Sequence, residues 1–201
     1  NNTAVGLAAL RSNTTGSSNV SVGATALYSN TTASYNTAVG HQAGYGITTA
    51  SSNTAVGAGS AYSTTTGAEN TSVGAAALYN NSTGSYNTAI GRFAGRGLST
   101  GNDNLFIGRC AGCNTSYGCN NFFAGACAGY SNTTGNYNLF FGCNSGCSVT
   151  TGTNNTFIGT YTGTSSISNT IYIKGGTSTL QVTSSGLTVN GLTGNISAGY
   201  A

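Results

Sequence analysis

The sequence predicts an all-β chain: a parallel β-solenoid of ten coils over residues 1–173, followed by a short β neck over 174–201. Three observations carry this prediction. Asn recurs at positions 2, 19, 36, 53, 70, 87, 104, 121, 138 and 155, a constant step of 17. Gly stands four places after every one of these Asn, from Gly6 to Gly159. Charged residues make up only 3% of the 201, where an ordinary globular domain carries about a quarter.

That composition also excludes functions. A nucleic-acid binder needs a Lys/Arg stripe to displace phosphate counterions, and five scattered Lys+Arg make none. No apolar run approaches the roughly 20 residues of a spanning helix. Disordered chains are usually charged and rich in Pro; this one has no Pro.

Each coil opens on the same phrase, as in Asn36-Thr-Ala-Val-Gly40, Asn53-Thr-Ala-Val-Gly57, Asn87-Thr-Ala-Ile-Gly91 and Asn104-Leu-Phe-Ile-Gly108. Stacked Asn can pass amide hydrogen bonds from coil to coil, and the Gly supplies positive φ at a corner. Seven places after Asn the residue is always small, as in Ala9, Ser60 and Thr162; a Ser/Thr pair follows, then Gly or Ala. Seventeen residues hold two strands of four or five residues and two turns. The inward side chains are expected to be the Val/Ile at the third place after Asn and the small residue at the seventh. An eleventh phrase, Asn169-Thr-Ile-Tyr-Ile173, follows after 14 residues. So small a core favours association, and a parallel homotrimer about the solenoid axis is expected.

The repeated Asn-Thr-Ala-Val/Ile-Gly phrase resembles the head repeats of trimeric autotransporter adhesins, and more closely the repeat regions of phage and giant-virus fibre proteins that precede an endosialidase-type chaperone. The resemblance covers residues 1 to about 173. It implies a left-handed β-roll, a trimeric fibre on a virion or cell surface, and a role in display and attachment to a host-surface glycan or receptor.

Within this frame some columns change along the chain. The second place after Asn holds Ala or Ser in the first six coils, then Phe106, Phe123, Phe140 and Phe157. Such a gain in volume predicts a wider rod or separated subunits near residue 100. The Phe would form a ladder on the trimer axis or in a wider coil core, or else an exposed aromatic stripe. All six Cys fall in the same stretch. Cys110 and Cys127 share a column in adjacent coils, within reach of a disulfide, and small hydrophobes are the alternative. Cys110-x-x-Cys113 has zinc-ligand spacing but lacks a second such pair, so no metal site or other cofactor is expected. Leu180-Gln-Val182 and Leu187-Thr-Val189, set off by Gly175-Gly176 and Gly191, read as strands leaving the solenoid. The chain begins at Asn1 without a signal peptide and reads as a fragment.

No catalytic residues are expected. His41 is the single His and reads as solvated, and Glu69 and Asp103 share a column two coils apart with Tyr86 between them. Tyrosines offer the better surface. Tyr28, Tyr45, Tyr62, Tyr79 and Tyr130 share the ninth place, and Tyr35, Tyr86 and Tyr137 the sixteenth. Such rows suit glycan stacking and equally suit packing at subunit edges. Glycan degradation and ice binding through the paired Thr are the alternatives to attachment. Sequons such as Asn13-Thr-Thr15 follow from composition.

Overall fold

The computed structural model describes residues 1–175, 178–183 and 185–190, all within one 13-stranded sheet whose strands follow sequence order. Gly176 and Gly191, and the neck beyond it, lie outside the described residues. Ten three-residue strands open the successive coils: β1 (Thr3–Val5), β2 (Val20–Val22), β3 (Thr37–Val39), β4 (Thr54–Val56), β5 (Thr71–Val73), β6 (Thr88–Ile90), β7 (Leu105–Ile107), β8 (Phe122–Ala124), β9 (Leu139–Phe141) and β10 (Thr156–Ile158). Each pairs in parallel with the same three places of the next coil, as Thr37 with Thr54 and Val39 with Val56. The chain is a parallel β-solenoid with a 17-residue step.

Each coil carries one short strand, not the two longer ones expected. The backbone prevents a second. In coil after coil the sixth, eighth and sixteenth places have positive φ, as at Ala76 (53°), Leu78 (47°) and Tyr86 (61°). Left-handed residues break extension, so the rest of the coil is a succession of tight turns. Those turns still bond to their neighbours: Leu27 N donates to Ala43 O at 3.0 Å, Ser29 N to Tyr45 O at 3.1 Å, and Tyr35 N to Ser17 O at 3.1 Å. Backbone hydrogen bonds thus run round most of the coil, which lets so small an apolar interior suffice.

The Val/Ile column faces outward, against expectation. Side chains alternate along a strand, and the Asn column and the second place are the inward ones. Asn36, Asn53, Asn87 and Ala38, Ala55, Ala89 are buried. The first and third places therefore point out, leaving Val39, Ile90, Ile107 and Ile158 each 38–41% exposed. The seventh place is inward as expected, with Ala43, Ala77, Ala94 and Ala128 fully buried.

The Phe ladder stacks inside the coil, and the 17-residue step is unchanged through it. Phe106, Phe123, Phe140 and Phe157 are fully buried, with successive ring centroids 4.8–5.5 Å apart. Room comes from the eighth place. Where the second place is Ala or Ser, the eighth holds Leu10, Leu27 or Leu78 in three of the coils; opposite each Phe it is Gly. A Cβ on Gly112 would lie 2.5 Å from the Phe106 ring, and one on Gly95, in the coil before, 2.6 Å from it. A large strand residue with Gly replaces a small one with Leu.

The last turn is 15 residues long, one more than the phrase at Asn169 suggests. Phe157 pairs with Tyr172, so Thr170, not Asn169, takes the Asn place, and its N–H bonds Asn155 Oδ1 at 3.1 Å. Strand β11 (Ile171–Gly175) continues the parallel sheet, while β12 (Ser178–Thr183) and β13 (Gly186–Asn190) add antiparallel to it. Leu180 and Leu187 lie on these strands as the alternation predicts.

Candidate functional site

The interior ladders position everything on the surface. Asn87 shows the Asn unit: its backbone N–H donates to Asn70 Oδ1 at 2.9 Å, its Nδ2 to Gly101 O at 2.9 Å, and its own Oδ1 accepts from Asn104 N at 3.0 Å. Asn36 and Asn53 repeat this, and Asn104 passes it on to Asn121. At the corner, Gly40, Gly57, Gly91 and Gly108 have φ between 126° and 137°. A Cβ on Gly91 would lie 2.7 Å from the carbonyl of Gly108, so Gly is required twice, for φ and for close approach. Because the coils stack in register, any surface column becomes a straight row with a step of ~4.8 Å.

Three surface rows differ in character. The first is the outward face of β1–β10. Its third-place row runs Val5, Val22, Val39, Val56, Val73, Ile90, Ile107, Ala124, Phe141 and Ile158, with Val5 and Phe141 more than half exposed. Beside it the first place is Thr in most of the first six coils and Leu105, Phe122 and Leu139 later. This is a continuous apolar stripe the length of the solenoid.

The second row is the ninth place. Tyr28, Tyr45, Tyr62 and Tyr79 are half-buried and stack on one another, with centroids 4.9–5.1 Å apart and planes within 8°. Arg11 closes one end, its Nη1 donating to the Tyr28 hydroxyl at 3.0 Å. Their faces are thus spent on each other, leaving edges outward. Tyr130 is exposed and stands apart from this stack, between the Cys113 and Cys147 coils. Cys113 and Cys147 continue this ninth-place row, and all six cysteines are free thiols. Burial, the neighbouring Cys110 and its hydrogen bond push the Cys113 thiol up to about 11, with Arg96 pulling the other way. Burial and then Cys110 also raise Cys127, with Arg109 pulling the other way. Among the described residues no group of three or more His, Cys, Asp or Glu is arranged to hold a metal.

The third row, at the sixteenth place, reads Ser18, Tyr35, Ser52, Glu69, Tyr86, Asp103, Asn120, Tyr137, Asn154, and every member is exposed. Of the two tyrosine rows, this is the one whose rings do not stack on one another. Tyr35, Tyr86 and Tyr137 recur in this row at every third coil. Next to this row the Ser/Thr pair splits. The first hydroxyl bonds the next coil, as Thr31 Oγ1 to Thr48 O at 3.1 Å; the second, in Thr32, Thr83 and Thr134, is exposed and makes no protein hydrogen bond. His41 is exposed on the opposite side of the corner glycine. Among the described residues no helix is long and apolar enough to cross a membrane.

Compared with family models, curated proteins and solved structures, the chain matches none.

Proposed function

We propose that this chain is a structural and attachment module of a surface fibre, on a virion or a cell, assembled as a parallel homotrimer. The observation that carries the reading is the outward Val/Ile stripe. Six of the ten third-place residues, Val5, Val39, Ile90, Ile107, Phe141 and Ile158, are 38–57% exposed, and a contiguous apolar surface of this kind marks an interaction site. A straight stripe parallel to the rod axis is self-complementary under rotation about that axis, so identical copies can bring their stripes together. Three copies then display three equivalent sets of surface rows, and weak contacts to a host-surface glycan or receptor add through avidity. The resemblance of the Asn-Thr-Ala-Val/Ile-Gly phrase to trimeric adhesin heads and virus fibres supports the same assembly, as does the scarcity of groups that could move protons. Replacing Val39 and Ile90 by Lys tests it. The double variant loses oligomer mass in light scattering while keeping its β-sheet circular dichroism; unchanged mass sinks the stripe as the contact.

One observation favours a second reading, ice binding. The second Thr of each pair forms a straight rank of free hydroxyls at ~4.8 Å steps. The Tyr35, Tyr86 and Tyr137 side chains rise beside that rank and Tyr117 interrupts it, which spoils its flatness. Thermal hysteresis of the purified chain separates the two readings.

A further inference from the structure

We propose that the exposed row at the sixteenth place, from Tyr35 through Glu69, Tyr86 and Asp103 to Tyr137, is a binding track for an extended neutral polysaccharide. The inference deepens the attachment reading and rests on it for its biological purpose, though its chemistry stands on the row alone.

The fold has no use for these tyrosines. All nine residues of the row, and Asn169 at the matching point of the shorter last coil, have φ between 54° and 62°. That region suits Asn and Asp and is unfavourable for a bulky side chain. The column uses Asn120, Asn154 and Asn169 where nothing else intervenes, yet places Tyr there three times. These rings are 67%, 57% and 62% exposed. Among the described residues they make no ring contact and no hydroxyl hydrogen bond. Costly conformations kept without a structural return are a mark of function.

Spacing sets them apart from the ninth-place stack. Tyr28 to Tyr79 sit one coil apart and cover each other. Tyr35, Tyr86 and Tyr137 sit three coils apart, ~14 Å at ~4.8 Å per coil, too far to cover one another. No other ring among the described residues covers them, so they remain available to the apolar face of a sugar ring. A ligand that uses all three must be long and must run along the rod.

Charge narrows the ligand. Both acidic residues of the chain, Glu69 and Asp103, lie in this row on either side of Tyr86. The four arginines, Arg11, Arg92, Arg96 and Arg109, lie in the fifth and ninth places. A carboxylate accepts hydrogen bonds from sugar hydroxyls and repels uronic or sulfated residues, so the row suits a neutral chain. The row is also held rigid: at the fifteenth place Ser34 Oγ accepts from Ser17 N at 3.0 Å, Ser85 Oγ from Ala68 N at 3.1 Å, and Asn102 Oδ1 from Ser85 N at 2.8 Å. A track ordered before binding loses little conformational freedom when it binds.

Affinity electrophoresis of the whole chain tests the proposal, in gels containing soluble β-glucan, galactomannan, xylan or polygalacturonate. The wild type is retarded by at least one of the neutral polymers and not by polygalacturonate. The Y35A/Y86A/Y137A variant keeps its light-scattering mass and melting temperature and loses retardation tenfold or more. The E69Q/D103N variant becomes retarded by polygalacturonate. No retardation by any neutral polymer, or retardation that survives the triple substitution, overturns the track. A fall in oligomer mass in the triple variant also overturns it, because the row is then a subunit contact. Continued exclusion of polygalacturonate by E69Q/D103N overturns the role given to the carboxylates. A monomeric wild type that binds glycan through the row sinks the trimeric fibre and keeps the track; a trimer that binds nothing does the reverse.

Discussion

One Asn per coil does the work that a thicker core does elsewhere. Its amide is fully buried and each of its polar atoms is bonded, so it both pays the desolvation cost and fixes register. Replacing Asn87 by Ala orphans the Asn104 N–H and the Gly101 carbonyl together. At ~1–3 kcal/mol for each buried group left unpaired, the loss is about 3 kcal/mol, to be read from denaturant titration; a loss under about 1 kcal/mol contradicts the ladder's role. Cys113 makes a pH prediction. The unfolded thiol ionises near 9.0, the folded one near 11. The folded state therefore holds its proton longer, and the contribution of this group is intact below pH 9 and is lost as pH rises toward 11. The melting temperature of the C113A variant falls less steeply than that of the wild type between pH 9 and 11; identical slopes refute this.

The unit of packing is the coil, and in part of the solenoid interior volume is exchanged between two places. Ser21 with Leu27 and Ser72 with Leu78 fill the same space as Phe123 with Gly129. Truncating Phe123 to Ala leaves a cavity worth about 3–5 kcal/mol. Adding Gly129→Leu rebuilds the arrangement of the earlier coils, where Leu27 and Leu78 already tolerate φ near 46°. The F123A/G129L chain is thus expected to recover a large part of the lost stability in thermal melts; no recovery means the two places do not share a space. This exchange was present in the sequence, since Gly112, Gly129, Gly146 and Gly163 stand opposite the four Phe. No single column reveals it, because the volume is exchanged between columns. The strand face is hidden for a related reason. Val39 and Ile90 rank as core by hydrophobicity, but the buried Asn36 and Asn87 fix the alternation and turn them outward.

At the scale of the whole molecule, period, parallel register and the Asn and Gly ladders were legible because each depends on one residue type recurring at one place. The single strand per coil was not, because the left-handed sixth, eighth and sixteenth places are occupied by Ala, Leu, Cys, Tyr and Glu, which give no warning of positive φ. The binding surface was half legible: the tyrosine columns stood out, but only the stacking of Tyr28 to Tyr79 shows that those faces are spent and those of Tyr35, Tyr86 and Tyr137 are open. The near absence of charge follows from the stacking itself, since a like charge repeated every ~4.8 Å along a row repels its neighbour. The apolar stripe along β1–β10 has the same origin, and in the proposed assembly copies of the chain cover it. The direct measurement is the solution mass of the purified chain by multi-angle light scattering at physiological salt. Assembly through the stripe predicts three times the 19.8 kDa chain mass, stable on dilution; a particle of 19.8 kDa contradicts it.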